Sequence, residues 1–376
     1  MASRSLARRW LASLGAIIVF ALTVSPLHAQ VSDAAARAVA YIRAQQQPDG
    51  SFAGFGAGST ADAVYALAAA NVNVAEVTQN GNSAITYIRS QAQAASQNVG
   101  LSAKLAIALL LAGQSPSTPE ANFIAAIEQG FDPQTGRYGA DVTAHAYAMI
   151  ALVAAGEDLE PAAADALKAL QLEDGGWSYD GTAATGSDTN TTGLVIQALV
   201  AAGQRDSDAV RRAIDYLRAQ QNDDAGFPYS QASQFGNASD ANSTALAIQG
   251  LIAAGEDLNA WAKNGTTPTQ RLLQFQNASG AFRYQDAAPE DNALATYQAV
   301  PAVLGVTLPL QEIAVALPAP QPVESPAPAP VESPAPRPEP IIPPALPDTG
   351  AVVLVPAFAI AALGLMLAGV FVRRRA

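Results

Sequence analysis

The sequence predicts an all-α chain in which about six helix-pair repeats close into an α/α toroid, and three observations carry that expectation. A short motif recurs along the chain: Gln, three residues, Gly, one residue, aromatic. Before the motif stands an amphipathic helical segment with one charged face. After it comes a helical segment apolar nearly all round, and such a helix belongs inside a fold. Exposed and buried helices that alternate in one chain fit two concentric rings. A superhelical solenoid is the competing arrangement.

The motif is complete in Gln46-Gln-Pro-Asp-Gly50-Ser-Phe52, Gln171-Leu-Glu-Asp-Gly175-Gly-Trp177 and Gln276-Asn-Ala-Ser-Gly280-Ala-Phe282. Residues 221–227 keep its spacing with Ala225 in the Gly place. Gly136-Arg-Tyr138 preserves its end after a longer turn, and residues 91–101 read as a degenerate copy without the aromatic. The exposed helices are clearest at Val210, Ala213, Ile214 and Leu217, which share one face, with Asp208, Arg211, Arg212, Asp215 and Arg218 on the other. Residues 38–43 and 84–89 reuse that pattern. The buried helices are typified by residues 193–202, and they stop at Gly113, Gly156, Gly203 and Gly255, the residue type a helix C-terminus prefers. Polar loops and few β-branched runs leave little room for sheet.

Each motif residue has a structural use: Gly permits a tight turn, Gln satisfies free backbone groups at a helix end, and the aromatic buries a large area. The motif resembles the QW motif of the prenyltransferase and squalene-cyclase repeat superfamily, whose members share an α/α toroid. The resemblance covers residues 35–305. It implies that Gln46, Gly50, Phe52, Gln171, Gly175, Trp177, Gln276, Gly280 and Phe282 stiffen the fold rather than catalyse. The superfamily includes squalene and terpene cyclases, protein prenyltransferase β-subunits, the complement thioester domain and the cobalamin carriers.

The chemistry of those branches can be set against the residues present. The chain has no Cys, and outside the first 29 residues its single histidine is His145. A thioester and the Asp, Cys and His zinc site of the prenyltransferases therefore lack their ligands. Class II cyclases use an Asp-x-Asp-Asp acid, in which neighbouring carboxylates keep one Asp protonated. The nearest segments here are Asp188-Thr-Asn-Thr and Asp240-Ala-Asn-Ser, with Asn and a hydroxyl where the family has acids. Aromatics make up 6% of the chain and many serve the repeat, which leaves few to stabilise a carbocation. No catalytic residue, cofactor or metal is assigned.

A polar collar remains at the starts of the buried helices. Asp62, Asp141, Asp188, Asp240 and Asp291 each precede an apolar run. As N-caps they accept from free backbone N–H groups. As a collar around one mouth they would sit beside a ligand cavity lined by Asn190, Thr192, Asn242, Thr244, His145, Tyr65, Tyr147 and Tyr297. The ligand-binding candidates are Asp188, Asn190, Asp240, Asn242, His145 and Tyr147. His145 also stands one turn past Asp141, where a hydrogen bond between them would make it structural.

The ends of the chain set its expected address. Arg4, Arg8 and Arg9 precede an apolar run, as in a secretory signal peptide spanning residues 1–29, with cleavage between Ala29 and Gln30. The toroid occupies residues 30–310. Residues 311–345 form a Pro-rich linker; 12 of the 29 residues from 317 to 345 are Pro, which favours an extended spacer of about 3.1 Å per residue. Residues 346–376 open with Leu346-Pro347-Asp348-Thr349-Gly350, continue with 22 uncharged, mostly apolar residues and end near Arg373-Arg374-Arg375. A helix over that apolar stretch spans about 33 Å, enough for a bilayer core. The arrangement resembles the cell-wall sorting signal of Gram-positive surface proteins, which implies a sortase cutting between Thr349 and Gly350. From residue 30 to residue 372, 14 basic residues face 32 acidic ones, a net charge of −18 that argues against nucleic acid. The expected protein is extracellular, anchored by its C-terminus to wall or membrane. It captures a small molecule or polymer without enzymatic turnover. An adhesion or scaffold protein and a terpene-cyclase-like or lipid-modifying enzyme are the alternatives.

Overall fold

A computed structural model describes residues 26–118, 122–234 and 236–309. The Pro-rich linker and the sorting signal lie outside these residues, and so does most of the signal peptide. Ala29 and Gln30 fall in the first helix, exposed. Thirteen α-helices follow one another among the described residues. They are α1 (Pro26–Ala44), α2 (Ala57–Ala69), α3 (Ala84–Ser90), α4 (Ala92–Ala95), α5 (Val99–Leu111), α6 (Phe123–Gln129) and α7 (Val142–Ala155), then α8 (Ala163–Ala169), α9 (Thr189–Ala201), α10 (Asp208–Gln220), α11 (Ala241–Ala254), α12 (Pro268–Gln274) and α13 (Ala293–Leu304). No described helix is long and apolar enough to cross a membrane.

The contacts close a circle. α2 packs on α5, α5 on α7, α7 on α9, α9 on α11, α11 on α13, and α13 returns to α2. These six inner helices are the apolar ones, and most of their residues are buried. The outer helices α1, α3, α6, α8, α10 and α12 each straddle two consecutive inner helices. α10 keeps the predicted division, with Ala209, Val210, Ala213, Tyr216 and Leu217 buried and its charges outside. The solenoid alternative is excluded because first and last repeats touch. Sheet is confined to three two-stranded antiparallel hairpins, the longest pairing β5 (Phe282–Gln285) with β6 (Ala288–Asn292).

The motif shows how each turn is locked. In Gln171 the amide Nε2 donates to Gly175 O of its own turn and to Ala209 O in the next outer helix, both at 2.8 Å. Gln46 reaches Val77 O at 3.0 Å, and Gln221 reaches Trp261 O at 2.8 Å. Gln276 joins Gly280 O at 3.0 Å to Ala34 O of α1 at 2.8 Å, across 242 residues of sequence. The Gln therefore bridges neighbouring repeats rather than ending its own helix, and the last one closes the ring. Gly175 has φ of 90°, and a Cβ there would stand 2.5 Å from Arg212 O of the following outer helix. Ala225 occupies the same left-handed turn with φ of 69° despite its side chain.

A second lock was not legible in the motif. The backbone N–H of each motif aromatic donates to a side chain four positions past the N-cap of the next inner helix. Trp177 N donates to Thr192 Oγ1 at 3.1 Å, Phe227 N to Thr244 Oγ1 at 3.0 Å and Phe282 N to Thr296 Oγ1 at 2.8 Å. Phe52 uses Thr60 Oγ1 at 3.1 Å, and Tyr138 uses His145 Nδ1 at 3.1 Å. Trp177 is fully buried, and its indole N–H donates to Leu167 O at 2.9 Å.

Two substitutions test these locks. Trp177→Ala removes a fully buried aromatic and is expected to cost about 3–5 kcal/mol of stability. Gln276→Leu removes the donor shared by Gly280 O of the turn and Ala34 O of α1 and should cost about 1–3 kcal/mol. Equilibrium denaturation reads both, and a near-neutral Gln276→Leu would mean that the ring closes by helix packing alone.

Candidate functional site

The six inner helices run the same way, because each outer helix carries the chain back. Their N-termini therefore ring one mouth of the toroid. Side chains two, six and nine positions past each N-cap share a face. The sixth positions are Asp62, Lys104, Tyr147, Leu194, Leu246 and Gln298. The ninth include Tyr65, Gln197, Gln249 and Pro301. All of these except Lys104 line one axial cavity, together with Tyr297, Thr307 and Leu308. Its volume is only about 30 Å³. That is room for about one water, against the several hundred Å³ of an ordinary small-molecule site.

Two backbones contribute to this closure. Gly193 of α9 lies against the Leu246 carbonyl of α11, and a Cβ on Gly250 would stand 2.9 Å from Gly193 Cα. The chain end contributes as well: Leu308 N donates to Gln197 Oε1 at 2.9 Å.

The axis holds one ion pair, Lys104 Nζ to Asp62 Oδ1 at 2.7 Å. Burial pulls the Lys104 ammonium down, but the adjacent Asp62 carboxylate outweighs it, and the lysine pKa stands above its ordinary value. Lys104 Nζ also lies 5.4 Å from the centre of the Tyr147 ring, and Tyr65 OH donates to Lys104 O at 2.8 Å. Asp62 is thus no cap, contrary to the sequence expectation. Gly56 precedes α2, and Asp62 sits inside that helix facing the axis. Asp291 is not a cap either: Asn292 caps α13, while Asp291 accepts from Asn277 Nδ2 and Ser279 Oγ, both at 2.8 Å.

The remaining collar residues are caps. Asp141 Oδ1 accepts from Ala144 N, Asp188 Oδ1 from Thr191 N and Asp240 Oδ1 from Ser243 N, each at 2.7 Å. The second oxygen of Asp188 takes Thr191 Oγ1 at 2.8 Å, and that of Asp240 takes Ser243 Oγ at 2.7 Å. Neither of these two lines the axial cavity. Burial dominates their titration: Asp188 is pushed up to about 6 and Asp240 to about 7, despite the hydrogen bonds that favour their charged forms.

His145 leaves the ligand set. It is fully buried, Nδ1 accepts from Tyr138 N, and Nε2 donates to Ala163 O at 3.0 Å. Burial lowers its pKa to about 4, so it stays neutral. No bond to Asp141 forms, since both ring nitrogens of His145 are already engaged by Tyr138 N and Ala163 O. Of the predicted set only Tyr147 reaches the cavity. Asn242 stands above it and donates to Gln298 Oε1 at 2.6 Å. Asn190 is half-buried, and its Oδ1 has no partner. Thr192 and Thr244 serve the turn locks. The sequence reasoning missed the axial Lys104, Gln197, Gln249 and Gln298. The signal for them was a polar residue six or nine places past the cap, inside an otherwise apolar helix.

Comparison with known families agrees with this architecture. The squalene-hopene cyclase C-terminal domain family matches residues 15–236, and the prenyltransferase α/α-toroid domain family matches residues 187–313. The chain belongs to this toroid family. Among solved structures it is similar to the type II terpene cyclase MstE from Scytonema, at 16% identity and a TM-score of 0.54 over 73% of this chain and 97% of that one. A protein from Actinoplanes is similar at 12% identity and a TM-score of 0.51, over 73% and 99% of the two chains. A glycosidase is similar at 13% identity and a TM-score of 0.50, over 75% and 99%. These identities establish the fold alone. No curated protein matches the sequence.

Within residues 188–191 and 240–243, the first Asp caps its helix and the last hydroxyl bonds back to it. The third position of each segment carries Asn190 or Asn242.

The raised pKa values have a signed consequence for stability. A carboxyl that holds its proton more tightly when folded stabilises the fold below its unfolded pKa, and that contribution fades as pH rises through the folded value. Asp188 and Asp240 therefore weaken the native state progressively between about pH 4 and 7. Asn caps as well as Asp and does not titrate. The stability of Asp188→Asn/Asp240→Asn relative to the unmodified protein is expected to grow from pH 4 to 7 and level off above. Denaturant titrations at several pH values check this, and a gap that shrinks with pH would contradict the buried-carboxyl account.

Proposed function

We propose that this protein is an exported binding module, held at the cell surface by its C-terminus, that captures an extracellular polymer on one face of its toroid without chemical turnover. One observation carries the reading: the axis, where a cyclase would house its substrate, has a cavity of only about 30 Å³. A ligand larger than a water is then met on a surface. The mouth formed by the inner-helix N-termini offers one. Phe55, directly before α2, is 64% exposed between two glycines with positive φ, 141° at Gly54 and 70° at Gly56. Tyr179 is also exposed, on a loop whose carbonyl caps the start of α7 through Val142 N at 2.9 Å. Beside it Asp180, Thr182 and Thr185 form a polar loop. Exposed aromatics with adjacent polar groups suit a polymer presenting both faces and hydroxyls.

The enzyme alternative finds less support. Asn190 and Asn242 stand where the cyclase motif has acids, and both oxygens of Asp188 and Asp240 already accept hydrogen bonds. The adhesion alternative differs from the favoured reading in its partner, a protein instead of a polymer. Surface display rests on the terminal segments: a signal peptide cut after Ala29, a Pro-rich spacer and the Leu346-Pro347-Asp348-Thr349-Gly350 signal.

Anchoring is tested by the chemistry of the released protein. Wall digestion should liberate a chain ending at Thr349 linked to a wall peptide, whereas intact chain recovered only by detergent would reduce the segment to a membrane tail. The binding face is tested on cells displaying the protein, with retention of purified wall polysaccharide as the readout. Phe55→Ala/Tyr179→Ala should weaken retention about tenfold or more with thermal stability unchanged. Unchanged retention would move the ligand elsewhere, and conversion of a polyprenyl substrate would replace this reading with the enzyme.

A further inference from the structure

The residues after α13 do something that the repeat does not require. The chain turns at Gly305, where Val306 N donates to Pro301 O at 2.8 Å. Leu308 then comes to lie in the axis, buried, with its N–H on Gln197 Oε1 at 2.9 Å. Gln197 is itself 1% exposed, and its Nε2 is turned to Gly193 O at 3.3 Å, so its oxygen faces the incoming donor. Thr307 and Leu308 complete the cavity wall formed by Leu194, Leu246 and Pro301. None of these contacts belongs to the turn locks or the caps that hold the ring.

We propose that residues 306–309 are an internal plug occupying a binding seat at the end of the axis away from the capped mouth, and that the seat takes a branched alkyl group bearing an N–H or O–H donor. The plug itself reports the chemistry. An isobutyl side chain fills the apolar wall, and a single donor beside it satisfies a buried amide oxygen. A ligand of the same shape regains both interactions and leaves no buried acceptor without a donor. The plug is displaceable because its hold is slight. Among the described residues it makes no ion pair, and its polar ties are the bonds from Val306 and Leu308. Binding must compete with this segment, so the apparent affinity is reduced by the fraction of chains in which the seat is free. The inference goes beyond the polymer reading, which places its ligand on the opposite face, and either can fail without the other.

The test uses the full chain in lipid nanodiscs and N-acetyl-L-leucinamide as the probe, followed by saturation-transfer NMR. Leu308→Gly removes the isobutyl group from the seat and weakens the hold of the segment, and it should bind the probe about tenfold or more tightly than the unmodified chain. Adding Gln197→Leu to that variant should abolish the gain, because the acceptor is gone, and N-acetylglycinamide should not bind. Equal binding by the unmodified chain and a folded Leu308→Gly would overturn the proposal, as would a gain that survives Gln197→Leu. Should Leu308→Gly fail to fold, the unmodified chain gives the answer. Saturating probe should speed hydrogen exchange at the Leu308 amide by displacing it, and an unchanged rate there would overturn the plug.

Discussion

Six helix pairs can wind on as an open superhelix or meet end to end, and a repeated side-chain amide biases this chain towards meeting. Each motif Gln spends its amide hydrogens on two carbonyls, one in its own turn and one in the following repeat, at or just before its outer helix. The bond fixes the step from one repeat to the next within a few tenths of an ångström. When the same step is taken by Gln276, the next outer helix is α1 and the acceptor is Ala34. Local geometry, repeated, thus becomes a long-range contact. The motif glycine belongs to the same device, since a side chain on Gly175 would push Arg212 and its helix away. The rest of the architecture, including an axis at all, depends on that step.

Much of this was legible in the sequence because it is periodic. Gln, Gly and aromatic recur at fixed spacing, and the apolar and charged helices alternate, so helix pairs, burial and turn positions could be read directly. Closure could not, because no local pattern states that residue 276 meets residue 34. The collar was legible in part. Asp141, Asp188 and Asp240 cap helices as expected, but Asp62 looked the same in sequence. An apolar run follows it, and only the position of the Gly54 to Gly56 turn shows that its helix has begun five residues earlier. Asp291 was misleading for the converse reason: it lies in a hairpin strand, and Asn292 one residue later takes the cap. His145 drew attention as a lone histidine. Its place four residues past the cap, where the other repeats carry Thr, identifies it as a substitute acceptor for a backbone N–H.

The axial residues explain why a shared fold need not mean a shared chamber. In a ring of six parallel helices, one side chain per helix per layer points inward, and their sizes decide the bore. Here one layer carries Asp62, Lys104, Tyr147, Leu194, Leu246 and Gln298, all of them larger than Ala. Gly193 and Gly250 bring α9 and α11 to backbone contact, which narrows that side further. The ion pair is a costly way to fill space, since burying two charges is offset only by their attraction at 2.7 Å and the ring of Tyr147 beside them. Its geometry is well suited to holding α2 and α5 in register, because each charge penalises any sliding that separates it from the other.

Catalysis in such a ring would call for a proton donor held free of other hydrogen-bond duties and facing the bore. The two most acid-like groups fail on that count, not on pKa. Asp188 and Asp240 titrate near neutrality because they are buried. Yet each spends both oxygens on its own helix start and lies outside the axial wall. Two residues past each of these caps stands an amide, Asn190 or Asn242, which can hydrogen-bond but cannot deliver a proton to an alkene. Asn190 retains an acceptor with no partner there. With its bore filled and the carboxyls of Asp188 and Asp240 turned into caps, the chain keeps the scaffold of its family and changes the groups that surround its axis.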